Sequence, residues 1–541
     1  MRGGWADGQM GRWGYAVLVV MLTAHPPIRL SAQSRFWRPD ERVLISDFSV
    51  VTALAASPWL VYAATPHGLA IYDRRSRQWQ TPVTGLDGYP AARARVALAD
   101  PVGNAVWLGT DIGWSRYDFD LRQWTQGSVP GGVTGLALDA QDPASGVFVQ
   151  SPGGWAFLPR GALMPMPGRS LPPPGQRVQT LDVRTALART PLADAMRAML
   201  LTDSRLRGYQ FTSAARAPDD NDLFLGTNGL GVVRLDVMTG QWDSLRFGLA
   251  ATAVRALALG SGGVWAAGPA IQRNARQGLT WVDDELAATT PIEAAPGSGF
   301  GTADVRRLTA SGDVLWLATD AGLFRIDPRS GDERRFDLGA GLPSEDVRCV
   351  APAPDGVWAG TALGLAVIAA GRVQHIGTTP LPILSLLETR DTLWVGTSAG
   401  LGAVAAGASD IAVPPAVAAE PALREPVVAL ARVGDTLVAA GADQVAWRDP
   451  GSGRWTALRP RVTLGRITSM AADAGGVWLG GVVGLAFWNI ARGSFRALVI
   501  PGDLPAPVRD LAAAASGPYV WAATDSGLVR LRRDVLNERR R

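Results

Sequence analysis

Lysine is missing altogether: all 52 basic residues of this 541-residue sequence are arginine. Schiff-base chemistry and the lysine of a phosphate-binding loop are thereby excluded. Cysteine is nearly missing, with Cys349 alone, so the chain can form no internal disulfide and no cysteine-built metal site. Histidine occurs three times, as His25, His67 and His375. None has a metal-binding or general-base motif beside it, and neither a G-x-S-x-G elbow nor an H-E-x-x-H pair is present. Glycine-rich runs such as Gly260 to Gly263 read as hairpin turns, since none opens a helix that would cradle phosphate. No metal or cofactor is implied.

Long apolar runs are scarce too. The run from Tyr15 to Ala24 is too short to cross roughly 30 Å of hydrocarbon as a helix. With Arg2 and Arg12 before it and "HPPIRLSAQS" after it, it fits a secretory signal over residues 1–32, cleaved after Ala32. A retained N-terminal anchor is the alternative. No second such run follows, so the expectation is an exported chain, periplasmic or extracellular, without a membrane span in its mature part. The formal net charge of +4 gathers in the signal segment and in a basic C-terminal tail, 532–541, with Arg532, Arg533 and Arg539 to Arg541. The remaining body is nearly neutral, which argues against a nucleic-acid partner.

What the sequence has in quantity is glycine, proline and apolar residues: 63, 38 and 47%. That is a globular chain with many turns. A phrase recurs through it, as "LWLATDAGLFRID", "VWAGTALGLAVIA" and "VWAATDSGLVRLR". About eleven copies align on an aromatic position or its substitute: Tyr62, Trp107, Phe148, Phe224, Trp265, Trp316, Trp358, Trp394, Val438, Trp478 and Trp521. Most neighbouring copies lie roughly 40 to 45 residues apart, with several short strands per unit, which is the signature of a β-propeller. In "LWLAT" the residues alternate between faces and both faces are apolar, as a blade between two neighbours requires. The tryptophan reads as a wedge between blades, and the threonine and Asp-x-Gly that follow it (Asp111, Asp320, Asp525) as turn chemistry. The expected fold is all-β, a β-propeller of about eleven four-stranded blades with one helical insertion. Eleven blades exceed the usual ring of four to eight. Two abutting propellers are therefore expected, over 33–250 and 251–531, with a single large ring as the alternative.

The units "GLPSEDVRCVAPAPDGVWAGTALGL" and "VRRLTASGDVLWLATDAGLFRID" resemble the two-component regulator propeller repeat. The resemblance implies an exported or periplasmic propeller, since that repeat occurs in sensor regions of hybrid histidine kinases that perceive polysaccharide fragments, and in exported proteins with no kinase. The opening "FWRPDERVLISDFSVVTALAASPWLVYAATPHGLAIYD" resembles PorZ-like exported propellers associated with type IX secretion. No immunoglobulin-like domain, membrane helix, kinase or β-sandwich sorting domain follows the last repeat, so neither a complete receptor nor a full PorZ-like protein is expected.

One segment breaks the rhythm. Residues 160–207 do not read as a blade: "MPMPGRSLPPPGQ" is a proline-rich link, and "TPLADAMRAMLL" reads as a helix with Thr190 as N-cap and Leu192, Met196, Met199 and Leu200 on one face. It is expected to dock on the propeller, the alternative being a lid or partner-docking helix.

Chemistry is sparse. A recurrent charged feature is arginine at the start of the inner strand: Arg255, Arg306, Arg348 and Arg509. Pointed together at a channel mouth, these four would suit an acidic glycan or a carboxylate. Pairing of each with a nearby aspartate, Arg306 with Asp320 or Arg509 with Asp525, is the structural alternative. The functional expectation is an exported, non-catalytic propeller that binds a carbohydrate or an envelope protein, as a sensing or scaffolding component. A propeller-fold hydrolase or lyase, with His67 as its one channel-face candidate, and a secretion-system assembly scaffold are the alternatives.

Overall fold

An apolar residue at nearly every position of "VLWLAT" leaves neither face of the extended chain for water, so this strand must be covered on both sides. The computed structural model describes residues 37–188, 190, 200–217, 221–269, 278–294, 299–514 and 517–536. In it, Val314–Thr319 is the second strand of a four-stranded antiparallel sheet. Leu315 and Leu317 enter the core shared with the preceding sheet, while Trp316 and Ala318 enter the core shared with the following one. The turn after it is closed by Thr319, whose Oγ1 donates to the Gly322 carbonyl at 2.7 Å. Gly322 has φ +113°, and a Cβ there would meet the Phe336 carbonyl at 2.5 Å, so only glycine fits. The same threonine-to-glycine bond recurs at Thr65, Thr361, Thr397 and Thr524.

Among the described residues there are eleven such sheets, nine of four strands, one of five and one of three. The protein is thus an all-β propeller. Numbered in chain order, blades 1 to 4 lie within 53–84, 94–128, 135–179 and 200–245. Blades 5 to 11 lie within 256–293, 305–336, 347–378, 383–405, 429–458, 467–499 and 508–532. The aromatic positions from Tyr62 to Trp521 fall one to a blade, on the strand next to the inner one. Inner strands are neighbours in sequence from blade 5 to blade 11, and that of blade 11 returns to blade 5, so these seven form a closed cycle. Blade 1 adjoins blades 2 and 4, and blade 2 adjoins blade 3. Between blades 3 and 4, Arg177–Gln179 pairs with the inner strand of blade 3, and Leu181 bridges to Ala214 of blade 4.

Several segments lie elsewhere than their place in the sequence suggests. The strand Arg42–Ile45 does not stay with blade 1. It pairs antiparallel with Gly527–Arg532 as the outer strand of blade 11, where it satisfies the edge that the chain leaves open after its last repeat. A continuous core containing Leu54, Phe224, Leu257 and Trp521 joins blades 1, 4, 5 and 11. Residues 160–207, expected outside the blades, contribute Arg177–Gln179 to blade 3 and Leu200–Thr202 to blade 4, because unpaired strand edges there accept backbone partners. The helix expected from Thr190 falls mostly on 191–199, outside the described residues. The described helix in this segment is Val183–Leu187, capped by Asp182, whose carboxylate accepts from the Thr185 N–H at 3.0 Å.

The basic tail is not free along its first part. Arg532 pairs with Asp40 and Asp534 at 2.5 Å, Arg533 pairs with Asp473 at 3.0 Å, and Val535 and Leu536 are buried. The signal segment 1–32 and residues 537–541 lie outside the described residues. No described helix is long and apolar enough to cross a membrane.

Candidate functional site

Near the start of each inner strand the register slips by one residue. In blade 6, Val305 faces Thr319 and Arg307 faces Ala318, which leaves Arg306 as an extra residue. The same slip leaves Arg348 in blade 7, Leu384 in blade 8, Thr468 in blade 10 and Arg509 in blade 11. In blades 5 and 9 the Arg255 and Val428 amides donate at 2.8 Å to Ala267 and Ala440, which already face Ala256 and Ala429. A β-bulge of this kind bends the strand and re-aims its extra side chain. All seven extra residues line one cavity of about 600 Å³.

The four arginines singled out in the sequence are therefore brought together. Arg509, Arg255, Arg306 and Arg348 stand on blades 11, 5, 6 and 7, which are consecutive in the cycle. Sequence reasoning missed Arg307 and Arg466, which line the same cavity. Arg307 reaches across the opening: its Nη1 donates to the Arg306 carbonyl at 3.0 Å and its Nη2 to the Thr468 carbonyl of blade 10 at 3.3 Å.

Carboxylates offset this charge only in part. Asp346 lies 3.0 Å from both Arg306 and Arg348. Asp525 accepts from Arg509 Nε at 3.0 Å and Nη2 at 2.5 Å, and lies 3.7 Å from Arg255. Of the two expected pairs, Arg509 with Asp525 is present. Arg306 does not pair with Asp320, because that carboxylate accepts the Asp304 N–H at 2.8 Å while Asp346 reaches Arg306 from the next crossing. The hydrogen bond from Arg509 holds the Asp525 carboxyl below the usual carboxylate range. Each aspartate balances one of the two guanidiniums it touches. A third carboxylate, Asp304, lines the cavity; among the described residues neither Arg307 nor Arg466 lies within ion-pair distance of a carboxylate, so the six arginines leave positive charge over at the mouth. Behind the ring, buried Asp510 accepts the Leu257 N–H at 2.9 Å; burial pushes its pKa up, against the opposing pull of Arg307.

The equivalent positions of blades 1 to 4 are Thr52, Arg95, Thr134 and Thr212. Their hydroxyls donate to backbone carbonyls of Ala64, Gln150 and Val51, and Arg95 pairs with Asp111. Among the described residues these four positions present one arginine, Arg95, rather than four. His67 is not part of the cavity: its Nε2 is 3.1 Å from Thr252 Oγ1, where blade 1 meets the crossing into blade 5. His375 lies on the outer strand of blade 7, against a separate hollow of about 280 Å³. Cys349 is buried and its thiol is pushed up to about 12 by desolvation, which removes it as a nucleophile. Among the described residues no group of three or more His, Cys, Asp or Glu is placed to hold a metal.

Bulged inner strands around a cation-lined mouth are thus features of this β-propeller's seven-blade cycle. No protein-family model matches the sequence, and no curated protein matches it. Solved structures are similar at low identity. The extracellular domain of BT3049 from B. thetaiotaomicron, described as a hybrid two component system, is 12% identical over 90% of this chain and 68% of that one, with a TM-score of 0.43. The extracellular domain of BT4673 from the same organism, described as a one component system, is 14% identical over 91% and 71%, with a TM-score of 0.44. The computationally designed Ika8 protein is 17% identical over 60% and 95%, with a TM-score of 0.39. The likeness assigns no residue a role, and none of these three is described as a PorZ-like protein.

Proposed function

We propose that this protein is an exported, non-catalytic propeller that binds an anionic ligand at the mouth of its seven-blade cycle, as a sensing or scaffolding component of the cell envelope. The observation that carries the reading is the convergence of Arg255, Arg306, Arg348 and Arg509, with Arg307 and Arg466, on one cavity of about 600 Å³. That volume suits a small organic ligand or a short oligomer. The lining offers guanidiniums for carboxylate or similar groups, and among the described residues it holds one carboxylate, Asp304, and no histidine, cysteine or serine. Residues 33–250 and 251–531 are read as two abutting propeller regions, of which the second bears the site.

Isothermal titration of the Arg306→Ala/Arg348→Ala variant against small carboxylates and acidic oligosaccharides tests this. These pairs are about one-third exposed, so stability should change by no more than about 1 kcal/mol. Affinity should fall by roughly tenfold or more, since a charged hydrogen bond contributes about 1.5–3 kcal/mol. Lost stability with unchanged binding would show the arginines to be structural.

A further inference from the structure

The seven bulge positions are made by the same backbone device, yet they are not chemically alike around the ring. Four consecutive blades, 11, 5, 6 and 7, present Arg509, Arg255, Arg306 and Arg348. The next two present Leu384 and Val428. Blade 10 presents Thr468, whose hydroxyl lies 2.7 Å from the Val508 carbonyl and 3.1 Å from the Gly480 carbonyl, so its proton is committed to the backbone. We infer that the ligand of this cavity is an amphipathic organic carboxylate, its anionic end held on the arginine arc and a hydrocarbon or aromatic body laid against Leu384 and Val428. This rests on the anion-binding reading above and narrows it.

A ligand charged along its whole length would gain from a cation at every position of the ring. Here two adjacent positions are aliphatic. Leu384 is half-buried and, unlike Leu386, does not pack against the core between blades 7 and 8. Val428 rests one side on the core of blades 9 and 10 and turns the other to the cavity. An aliphatic side chain re-aimed by a bulge keeps part of its apolar surface on the aqueous opening, where the blade's own core does not cover it. It becomes favourable when an apolar ligand covers it, and covering a leucine-sized surface is worth roughly tenfold or more in affinity. The charged side matches a carboxylate in the same way. The six guanidiniums of the lining outnumber the carboxylates of Asp304, Asp346 and Asp525, and they are planar forks suited to two-point contact. Arg307 lies across the opening between the arc and blade 10, which sets a charged floor under the head group.

The test is isothermal titration of the full chain with phenylacetate, 4-phenylbutyrate and 6-phenylhexanoate. Acetate supplies charge without a body, 4-phenyl-1-butanol a body without charge, and trigalacturonate charge without apolar surface. Affinity should rise with chain length among the phenylalkanoates, with acetate and 4-phenyl-1-butanol at least tenfold weaker than 6-phenylhexanoate. A Leu384→Asn/Val428→Thr variant should lose at least tenfold for 6-phenylhexanoate and nothing for acetate, whereas Arg306→Gln/Arg348→Gln should weaken both. Should the first variant melt below the parent chain, Leu384→Thr alone carries the same expectation. Tighter binding of trigalacturonate than of any phenylalkanoate, or undiminished 6-phenylhexanoate binding without Leu384 and Val428, overturns the amphipathic ligand and leaves the anion site standing. Failure of every anion to bind, or binding indifferent to the loss of Arg306 and Arg348, overturns both.

Discussion

Single residues in this chain divide into those whose role follows from local chemistry and those whose role depends on a partner elsewhere. Trp478 belongs to the first group: it is buried between blades, and its indole N–H donates to Asp473 at 2.7 Å, as Trp107 does to Asp100 at 3.3 Å. Period-two apolarity makes such wedges legible from sequence, and so is the Arg509–Asp525 pair, whose members flank one blade's first hairpin. The partner of Arg306 was not legible, because Asp346 lies in the next crossing and only the packing of two blades brings them together. Asp525 offers a test at this scale. Its carboxyl titrates below the ordinary range, so in the folded state it binds a proton less readily than when unfolded. The stability it contributes is present above the unfolded value and is lost as pH falls through the lower folded value. Arg509→Gln removes the largest cause of that shift. Urea midpoints should therefore differ between parent and variant at about pH 6 and draw together as the pH falls below the ordinary carboxylate range, in the sense that the parent is the more stable at the higher pH. An equal difference below that range would mean that the pair contributes nothing to the acid response.

Among elements, the inner-strand bulge does most to create the site. Val-Arg at the start of a strand is readable in "VRRL" and "VRCV", but the extra residue that turns the arginine into the mouth is a property of strand pairing, and no residue type marks it. The same blindness hid Leu384 and Val428: as residues they are ordinary strand formers, and their register alone puts them in the ring. The strand Arg42–Ile45 is a second case. "RVLI" reads as a short apolar run, and which edge it covers is decided only by how the cycle closes. Val43, Leu44 and Ile45 are all buried there, Ile45 fully. Ile45→Ala should therefore cost about 3 kcal/mol, from lost transfer energy and the cavity left behind. Met238→Ala, at a side chain that is 71% exposed, should stay within about 0.5 kcal/mol. Equal shifts of the two urea midpoints would show that the strand is not held in blade 11.

At the scale of the whole molecule, a chain whose first described strand lies in blade 11 builds blades 1 to 4 and then blades 5 to 11, and so returns to that strand. Repeat period and blade count were legible because each repeat must bury both faces against neighbours. The closure was not, since it depends on a strand contributed from outside the repeat. That closure makes the site-bearing cycle dependent on residues outside 251–531. A chain beginning at residue 251 would leave the backbone of Gly527–Arg532 unpaired along its outer edge, where Arg42–Ile45 otherwise lies. Such an edge invites pairing with other chains. The shortened chain should melt below the full chain and self-associate. A synthetic peptide of residues 37–50 should raise its melting temperature in proportion to the logarithm of peptide concentration, because it binds only the folded form. The same peptide carrying Ile45→Asp should do so far more weakly, since that side chain is fully buried in the blade. Scanning calorimetry with each peptide decides the matter: a shortened chain as stable as the full one, or indifferent to both peptides, would show that the seven blades close without their borrowed strand.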